Sequence, residues 1–228
     1  MKKIGVILHG CGVFDGTEIQ EATLALLAIR EAGASYQCYA PNVAQYHVIN
    51  HLTGEEMPEK RNVLVESARI ARGEIKALAE LNLAEVDGLL IPGGFGAAKN
   101  LSTWAFKGPQ AEVLPQVEEV ILSALHQQIP LASLCVSPVV VAKALEGSEF
   151  HPQLTLGTTE ANSPYDIAGF AAGIEQVGAT HTLATIDEVV VDEKLKIVTA
   201  PCYMMETDIL GIRSNTKLAV EKLMSLIN

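Results

Sequence analysis

The chain of 228 residues is 49% hydrophobic and 19% charged, a composition that excludes an intrinsically disordered protein. Acidic residues outnumber basic ones by 27 to 16, and the net charge of -11 argues against nucleic acid or an anionic membrane surface as a partner. No run of about 18 apolar residues is present, so no membrane-spanning segment is predicted. This length suits one α/β domain, and we predict a single domain over residues 1–228.

Short apolar runs alternate along the chain with amphipathic stretches, which is typical of parallel strands joined by helices. Predicted strands lie at residues 4–8, 36–40, 88–91, 130–134, 188–191 and 196–200. Predicted helices lie at residues 18–32, 62–81, 114–126, 139–145 and 216–226. The pattern predicts an α/β fold with a mostly parallel central sheet covered on both faces, from which the irregular segment 42–61 departs.

Three unusual segments follow predicted strands, at residues 9–15, 92–100 and 135–138. In an open α/β sheet, ligands bind beyond the carboxyl ends of the strands. We therefore expect the functional residues among these three segments.

Cys135 stands at a predicted sharp turn from strand to helix, with Ser133 and Ser137 two residues away on either side. This pattern is similar to the nucleophile elbow Gly-x-Ser-x-Gly, whose small residues permit a tight turn. A helix N-terminus also stabilises a thiolate. The local sequence leaves two interpretations open, a nucleophile and a buried core cysteine.

Gly93 and Gly94 follow the predicted strand 88–91 directly. Glycines at such a position expose backbone N–H groups that can hold an oxyanion, although a plain tight turn is the alternative. The segment lacks the Gly-Lys-Ser/Thr end of a P-loop, and Lys99 stands where the dinucleotide fingerprint has its third glycine.

The start of the first helix carries two glutamates, Glu18 and Glu21. Thr17 and Gln20 fit a capping box that would place both acids in the first turn. Acids there can simply stabilise the helix dipole. A carboxyl group from this helix could also reach Cys135 and share one proton with it, as a general acid and base.

The four cysteines, at positions 11, 38, 135 and 202, are too widely spaced for a disulfide scaffold or a four-thiolate zinc site. This usage predicts a cytoplasmic protein. His47, His51 and Glu55 have a spacing that suits a metal on a helix, but their segment is polar and loop-like, and we predict no metal site.

Several motifs resemble the ThiJ/PfpI superfamily, which is related to class I glutamine amidotransferases, and most closely its bacterial glyoxalase branch, the ElbB proteins. The shared motifs include Cys-Val-Ser-Pro at 135–138, Pro-Gly-Gly-Phe-Gly-Ala-Ala-Lys-Asn-Leu-Ser at 92–102, Gly-Cys-Gly-Val-Phe-Asp-Gly at 10–16 and Val-Ile-Asn-His-Leu-Thr-Gly at 48–54. Together with Arg-Asn-Val-Leu at 61–64 and Ala-Arg-Gly-Glu-Ile at 71–75, they extend over nearly the whole chain.

The resemblance implies a flavodoxin-like three-layer sandwich with Cys135 as the nucleophile. It also implies Glu21 as the acid/base, twelve residues before Gly33, with Glu18 as the alternative. The amides of Gly94 and Val136 would form the oxyanion hole. Gly93, Cys11 and Glu160 are further candidate supporting residues, and Glu160 stands where many relatives have a histidine.

The implied activity is a glutathione-independent, cofactor-free conversion of a small dicarbonyl such as glyoxal to a 2-hydroxy acid, with possible deglycase activity. The missing histidine argues against a protease or amidase. Two alternatives stay open: a redox or stress sensor built on an exposed thiolate of low pKa, and a regulatory protein associated with isoprenoid metabolism. A homodimer is the default expectation for the assembly.

Overall fold

The computed structural model describes residues 1–227 and shows a mostly parallel central sheet flanked by helices. Seven strands form this sheet in the order β3-β2-β1-β4-β5-β9-β8, in which only the β8–β9 pair is antiparallel. The strands are β1 (Lys3–Ile7), β2 (Ser35–Ala40), β3 (Ile75–Ala77), β4 (Gly88–Ile91), β5 (Leu131–Leu134), β8 (Val190–Asp192) and β9 (Ile197–Ala200). The predicted α/β fold is confirmed.

A second, two-stranded parallel sheet pairs β6 (Gln153–Leu154) with β7 (Thr180–His181). The helices are α1 (Ile19–Glu31), α2 (Val63–Ile70), α3 (Trp104–Lys107), α4 (Pro115–His126), α5 (Pro138–Ala144), α6 (Ile167–Gln176) and α7 (Ile209–Leu226). Helix α1 packs against α7, and α4 packs against α5. No helix within residues 1–227 has the length and apolar character needed to cross a membrane.

The central strands β4, β5 and β9 are buried at every residue, as expected for parallel strands covered on both faces. Their apolar runs carry little helical periodicity, and Pro92, Pro130 and Pro201 stand at their ends. The strands predicted at 88–91, 130–134 and 196–200 therefore agree with the structure to within one residue. The predicted helix at 62–81 is wrong in its second half. Helix α2 ends at Ile70, because Gly73 turns the chain with φ of +86° and leads it into β3.

Two elements differ from the sequence prediction towards the C-terminus. Helix α6 was missed, since Gly169 and Gly173 lie inside it and weaken the helical signal. Helix α7 begins seven residues earlier than predicted, where the Asp208 side chain accepts hydrogen bonds from the N–H groups of Leu210 and Gly211.

The carboxyl ends of β1, β4, β5 and β9 meet at one edge of the sheet, and backbone hydrogen bonds join the segments that follow them. Glu18 N–H donates to Gly93 O over 2.8 Å, and Cys135 N–H donates to Ala200 O over 2.8 Å. Phe95 N–H donates to the carbonyl of the β1 loop at residue 13. This edge brings together the three segments that the sequence singled out.

Candidate active site

Cys135 occupies a strained turn between β5 and α5, with φ of +58°. Residues other than glycine seldom adopt this left-handed conformation, and those that do cluster at functional sites. Ser137 Oγ lies 2.7 Å from Ser133 Oγ and 3.0 Å from the carbonyl of Ile91 in the neighbouring strand. The two serines therefore tie the turn to the sheet, so that the small residues of the Ser-x-Cys-x-Ser pattern have a structural role as well.

The carboxyl group of Glu21 is fully buried and lies beside the Cys135 thiol. One oxygen accepts the N–H of Gly93 over 3.0 Å, and the other accepts the N–H of Tyr203 over 3.2 Å. Of the two glutamates left open by the sequence, the structure brings Glu21 to the cysteine. We refer to Cys135 and Glu21 as the thiol–carboxyl pair.

Gly93 permits the close approach within this pair. A Cβ atom at this position would lie 2.2 Å from Cys135 Cβ and 2.3 Å from Glu21 Oε2, far inside van der Waals contact. The glycine is needed for space rather than for a left-handed φ, since none is found at this position. The absence of a side chain at Gly93 therefore leaves the space that Cys135 and Glu21 occupy next to the end of β4.

Burial sets the protonation of the pair. It raises the pKa of Glu21 to about 8, with a further contribution from the charge of Glu18, against the opposing N–H groups. Burial, then the Glu21 charge, raises the pKa of the Cys135 thiol well above its ordinary value. Near neutral pH the two groups therefore hold at least one proton between them, as expected for coupled sites.

The exposed thiolate of low pKa, on which the redox-sensor alternative depends, is not found. Cys135 is 5% exposed, and desolvation outweighs the stabilisation that the start of α5 offers to a negative charge. A short helix of seven residues also has a small dipole, so this outcome follows from simple electrostatics.

Glu18 is the N-cap of α1, and its carboxylate accepts the N–H of Glu21 over 2.6 Å. The predicted capping box of Thr17 and Gln20 is therefore wrong. The Thr17 hydroxyl instead accepts the N–H of His9 over 2.8 Å, which fixes the loop after β1. Glu18 holds Glu21 in place through the helix backbone, and its charge disfavours a second negative charge beside it.

The two backbone N–H groups predicted to form an oxyanion hole are those of Gly94 and Val136. The N–H of Gly94 opposes the rise in the pKa of the Cys135 thiol, and Gly94 has φ of +103°, which a side chain would strain. The N–H of Val136 makes no hydrogen bond to another described residue. An oxyanion hole requires donors next to the reacting carbon, and this assignment stays a prediction.

The structure does not bring Glu160 or Cys11 to the pair. Glu160 is exposed, and within residues 1–227 it makes no hydrogen bond or ion pair with Cys135 or Glu21. Cys11 lies beside Glu66, whose charge adds to burial in raising the pKa of the Cys11 thiol.

No described histidine hydrogen-bonds to Cys135. His9 is buried, its Nε2 lies 3.0 Å from the Pro92 carbonyl, and burial lowers its pKa to about 4, so it is neutral. In the described part of the chain, no group of three His, Cys, Asp or Glu side chains is arranged to hold a metal.

Three site residues were missed by the sequence analysis. Tyr165 lies close enough to Cys135 and Glu21 for their charges to add to burial in raising its pKa to about 12. Tyr203 contributes its N–H to Glu21, and Cys202 is a fully buried neighbour of Cys135. These residues follow loops whose path depends on the tertiary fold, and no local motif marks them.

Comparison with curated proteins gives relatives along nearly the whole chain. The mitochondrial ES1 protein homolog of Rattus norvegicus is 42% identical over 98% of this chain and 84% of its own length. The mitochondrial glutamine amidotransferase-like class 1 domain-containing protein 3 of Homo sapiens is 42% identical over 98% and 83%, respectively. The chain belongs to the class I glutamine amidotransferase-like family. No family model matches the chain.

Solved structures agree with this assignment. An isoprenoid biosynthesis protein with an amidotransferase-like domain from Ehrlichia chaffeensis has a TM-score of 0.90 and 29% identity, with full coverage of both chains. Glyoxalase III from Candida albicans has a TM-score of 0.60 and 16% identity over 100% of this chain and 98% of that one, which shows a shared fold. The flavodoxin-like fold implied by the resemblance is thus confirmed.

The prediction of a cytoplasmic location is wrong. The prediction was based on the wide spacing of the cysteines, which indicates a reducing environment but does not identify the cellular compartment. The curated relatives from rat, human and zebrafish are all named as mitochondrial proteins.

Proposed function

We propose that the protein is a glutathione-independent glyoxalase that converts glyoxal to glycolate at the thiol–carboxyl pair. The observation that supports this best is the fully buried Glu21 carboxyl group, which lies beside the Cys135 thiol and is held by two N–H donors. Such a carboxyl group can deliver and remove protons next to a carbon atom bonded to the sulfur. Glyoxalase chemistry needs this combination of nucleophile and proton carrier.

The first step starts from the form of the pair in which Cys135 and Glu21 share one proton. The Cys135 sulfur attacks one aldehyde carbon of glyoxal, C1, so that a C–S bond forms and the C–O double bond at C1 becomes a single bond. The aldehyde oxygen becomes an oxyanion, which the N–H groups of Gly94 and Val136 stabilise, and it takes the proton shared with Glu21. The product is a hemithioacetal, and Glu21 is left as a carboxylate.

In the second step, the Glu21 carboxylate removes the hydrogen from C1 as a proton, a C1–C2 double bond forms, and the C2 carbonyl oxygen takes a proton from solvent, which gives an enediol. Glu21 then returns a proton to C2, the C1 hydroxyl group loses its proton to solvent and becomes a carbonyl, and the product is a thioester of glycolate. C1 is oxidised and C2 is reduced, so this rearrangement needs no external redox partner. Water then attacks the thioester carbon and the C–S bond breaks. Glycolate is released, and the Cys135 side chain and the shared proton of the pair are restored.

One solved structure with the same fold is named as a glyoxalase, which agrees with a dicarbonyl substrate. It is the glyoxalase III of Candida albicans, at 16% identity to this chain. The lack of a histidine beside Cys135 argues against amide hydrolysis, in which a leaving amine needs a strong proton donor.

A second candidate function is a regulatory role in isoprenoid metabolism. It is favoured by the full-length likeness to the Ehrlichia chaffeensis isoprenoid biosynthesis protein. The redox-sensor alternative is less well supported, because Cys135 is buried and the pKa of its thiol is raised.

The test is to incubate the purified protein with glyoxal in D₂O, without glutathione, and to analyse the product by NMR. We expect glycolate carrying solvent deuterium at C2, because the proton on Glu21 exchanges with solvent during the rearrangement. Glycolate free of deuterium would indicate hydride migration and contradict the role of Glu21. No glycolate above the rate without protein would contradict the glyoxalase proposal as a whole.

A further inference from the structure

A cavity of about 410 Å³ is lined by residues that also contact Glu21 of the thiol–carboxyl pair. Of these lining residues, Glu18 accepts the N–H of Glu21 over 2.6 Å, and Tyr203 donates its N–H to the Glu21 carboxyl group over 3.2 Å. Tyr165 also lines the cavity, and the charges of Cys135 and Glu21 contribute to its raised pKa. Cavities of this volume accommodate ligands of drug-like size. Glyoxal has only four non-hydrogen atoms, so the cavity has room for a much larger substituent.

The walls of the cavity are largely aromatic and apolar. They include Phe14, Tyr165, Tyr203 and Met205. The Tyr165 ring packs edge-on against the Phe95 ring, with ring centroids 5.6 Å apart, and this contact restricts its orientation. Rigid aromatic and thioether side chains favour a planar, apolar group between them.

The charged groups on the cavity are all negative. Ten described residues line it, and these include the carboxylates of Glu18 and Glu206 but no lysine, arginine or histidine. The ammonium group of Lys99 is held on the carbonyl of Phe14 over 2.8 Å, outside the lining. A ligand that carries a carboxylate would therefore meet repulsion without a compensating cation.

We infer that the substrate is an uncharged 1,2-dicarbonyl in which an aldehyde is bonded to a ketone that carries an apolar group such as a phenyl ring. The cavity holds this apolar group. This inference rests on the proposed function and adds substrate selectivity to it. In the proposed complex the ring lies between Tyr165, Tyr203 and Met205, and the aldehyde is directed towards Cys135, which adjoins the cavity without lining it. Dicarbonyls with a carboxylate on the substituent are rejected by Glu18 and Glu206.

The test compares glyoxal, phenylglyoxal and 4-carboxyphenylglyoxal as substrates, with the corresponding 2-hydroxy acids measured by chromatography. The two aryl compounds differ by one carboxylate, so their comparison isolates the effect of charge. Initial rates are corrected by subtracting those of Cys135→Ala, which removes side reactions of aryl dicarbonyls with arginine. We expect kcat/KM for phenylglyoxal to exceed those for the other two compounds by at least tenfold.

Glu206→Gln and Glu193→Gln form a matched pair of variants. Both remove one exposed carboxylate, but only Glu206 lines the cavity, while Glu193 lies in the turn between β8 and β9. We expect Glu206→Gln to narrow the gap between the two aryl substrates severalfold and Glu193→Gln to leave it unchanged. If the wild type turns over glyoxal but has equal kcat/KM for the two aryl compounds, the inference about the cavity is overturned and the proposed function is upheld. Absence of turnover with all three compounds would overturn both.

Discussion

Replacing Glu21 by glutamine is expected to lower kcat for glyoxal by about 10²–10⁴-fold, the usual contribution of a general acid/base. Glutamine has nearly the same shape and keeps a carbonyl oxygen for one N–H donor, but it can neither deliver a proton to the oxyanion nor remove the C1 hydrogen. The measurement is glycolate formation under saturating glyoxal. Glu31→Gln, at the exposed C-terminal end of the same helix, is the matched control and should retain wild-type activity.

The same variant separates catalysis from folding through its pH dependence. In the folded state the pKa of Glu21 is raised to about 8, above the value of 4.5 for a free side chain. Its contribution to the free energy of unfolding is therefore fully present below about pH 4.5 and is lost as the pH rises through 8. Urea titrations from pH 5 to 9 should show stability falling by a few kcal/mol in the wild type and a flatter profile in Glu21→Gln. Retention of more than half of the wild-type kcat by the variant would exclude Glu21 as the proton carrier.

Replacing Gly93 by alanine is expected to abolish measurable activity and to reduce the free energy of unfolding by about 3 kcal/mol, at the upper end for overpacked sites. The added methyl group would overlap both Cys135 Cβ and Glu21 Oε2, so the pair must separate or the backbone of the β4 turn must move. Stability is measured by urea titration and activity by glycolate formation.

Gly54→Ala is the control for this substitution. Gly54 has φ of +75° and open space around its Cβ position, so alanine should cost only about 1 kcal/mol of conformational strain and leave activity intact. A Gly93→Ala protein with wild-type stability and rate would show that the approach of Cys135 and Glu21 is looser than the structure indicates.

The convergence of Cys135, Gly93 and α1 could be predicted from the sequence for a physical reason. Each follows an apolar run that is buried on both faces, and the carboxyl ends of parallel strands must meet at one edge. The choice between Glu18 and Glu21 depended on the start of α1. That start could not be predicted locally, because the Thr17 hydroxyl is engaged by His9 from the loop after β1.

The protonation of the pair could not be predicted from local sequence. A cysteine at a helix N-terminus is expected to have a lowered pKa, yet the pKa of Cys135 is raised because the tertiary fold buries it. Those tyrosines follow irregular segments, and Tyr203 acts on Glu21 through its backbone N–H, which no side-chain pattern reveals. The supporting roles predicted for Glu160 and Cys11 were based on their positions in the sequence, but the fold does not place either side chain at the thiol–carboxyl pair.

The measurement that tests the central claim most directly is glycolate formation from glyoxal, without glutathione, by wild type, Cys135→Ala and Cys11→Ala. Cys11 is a partly exposed cysteine away from the pair, so its variant controls for loss of a thiol as such. The account predicts turnover by wild type and Cys11→Ala and none above background by Cys135→Ala. Equal turnover by all three proteins, or by none, would contradict the assignment of Cys135 as the nucleophile of a glyoxalase.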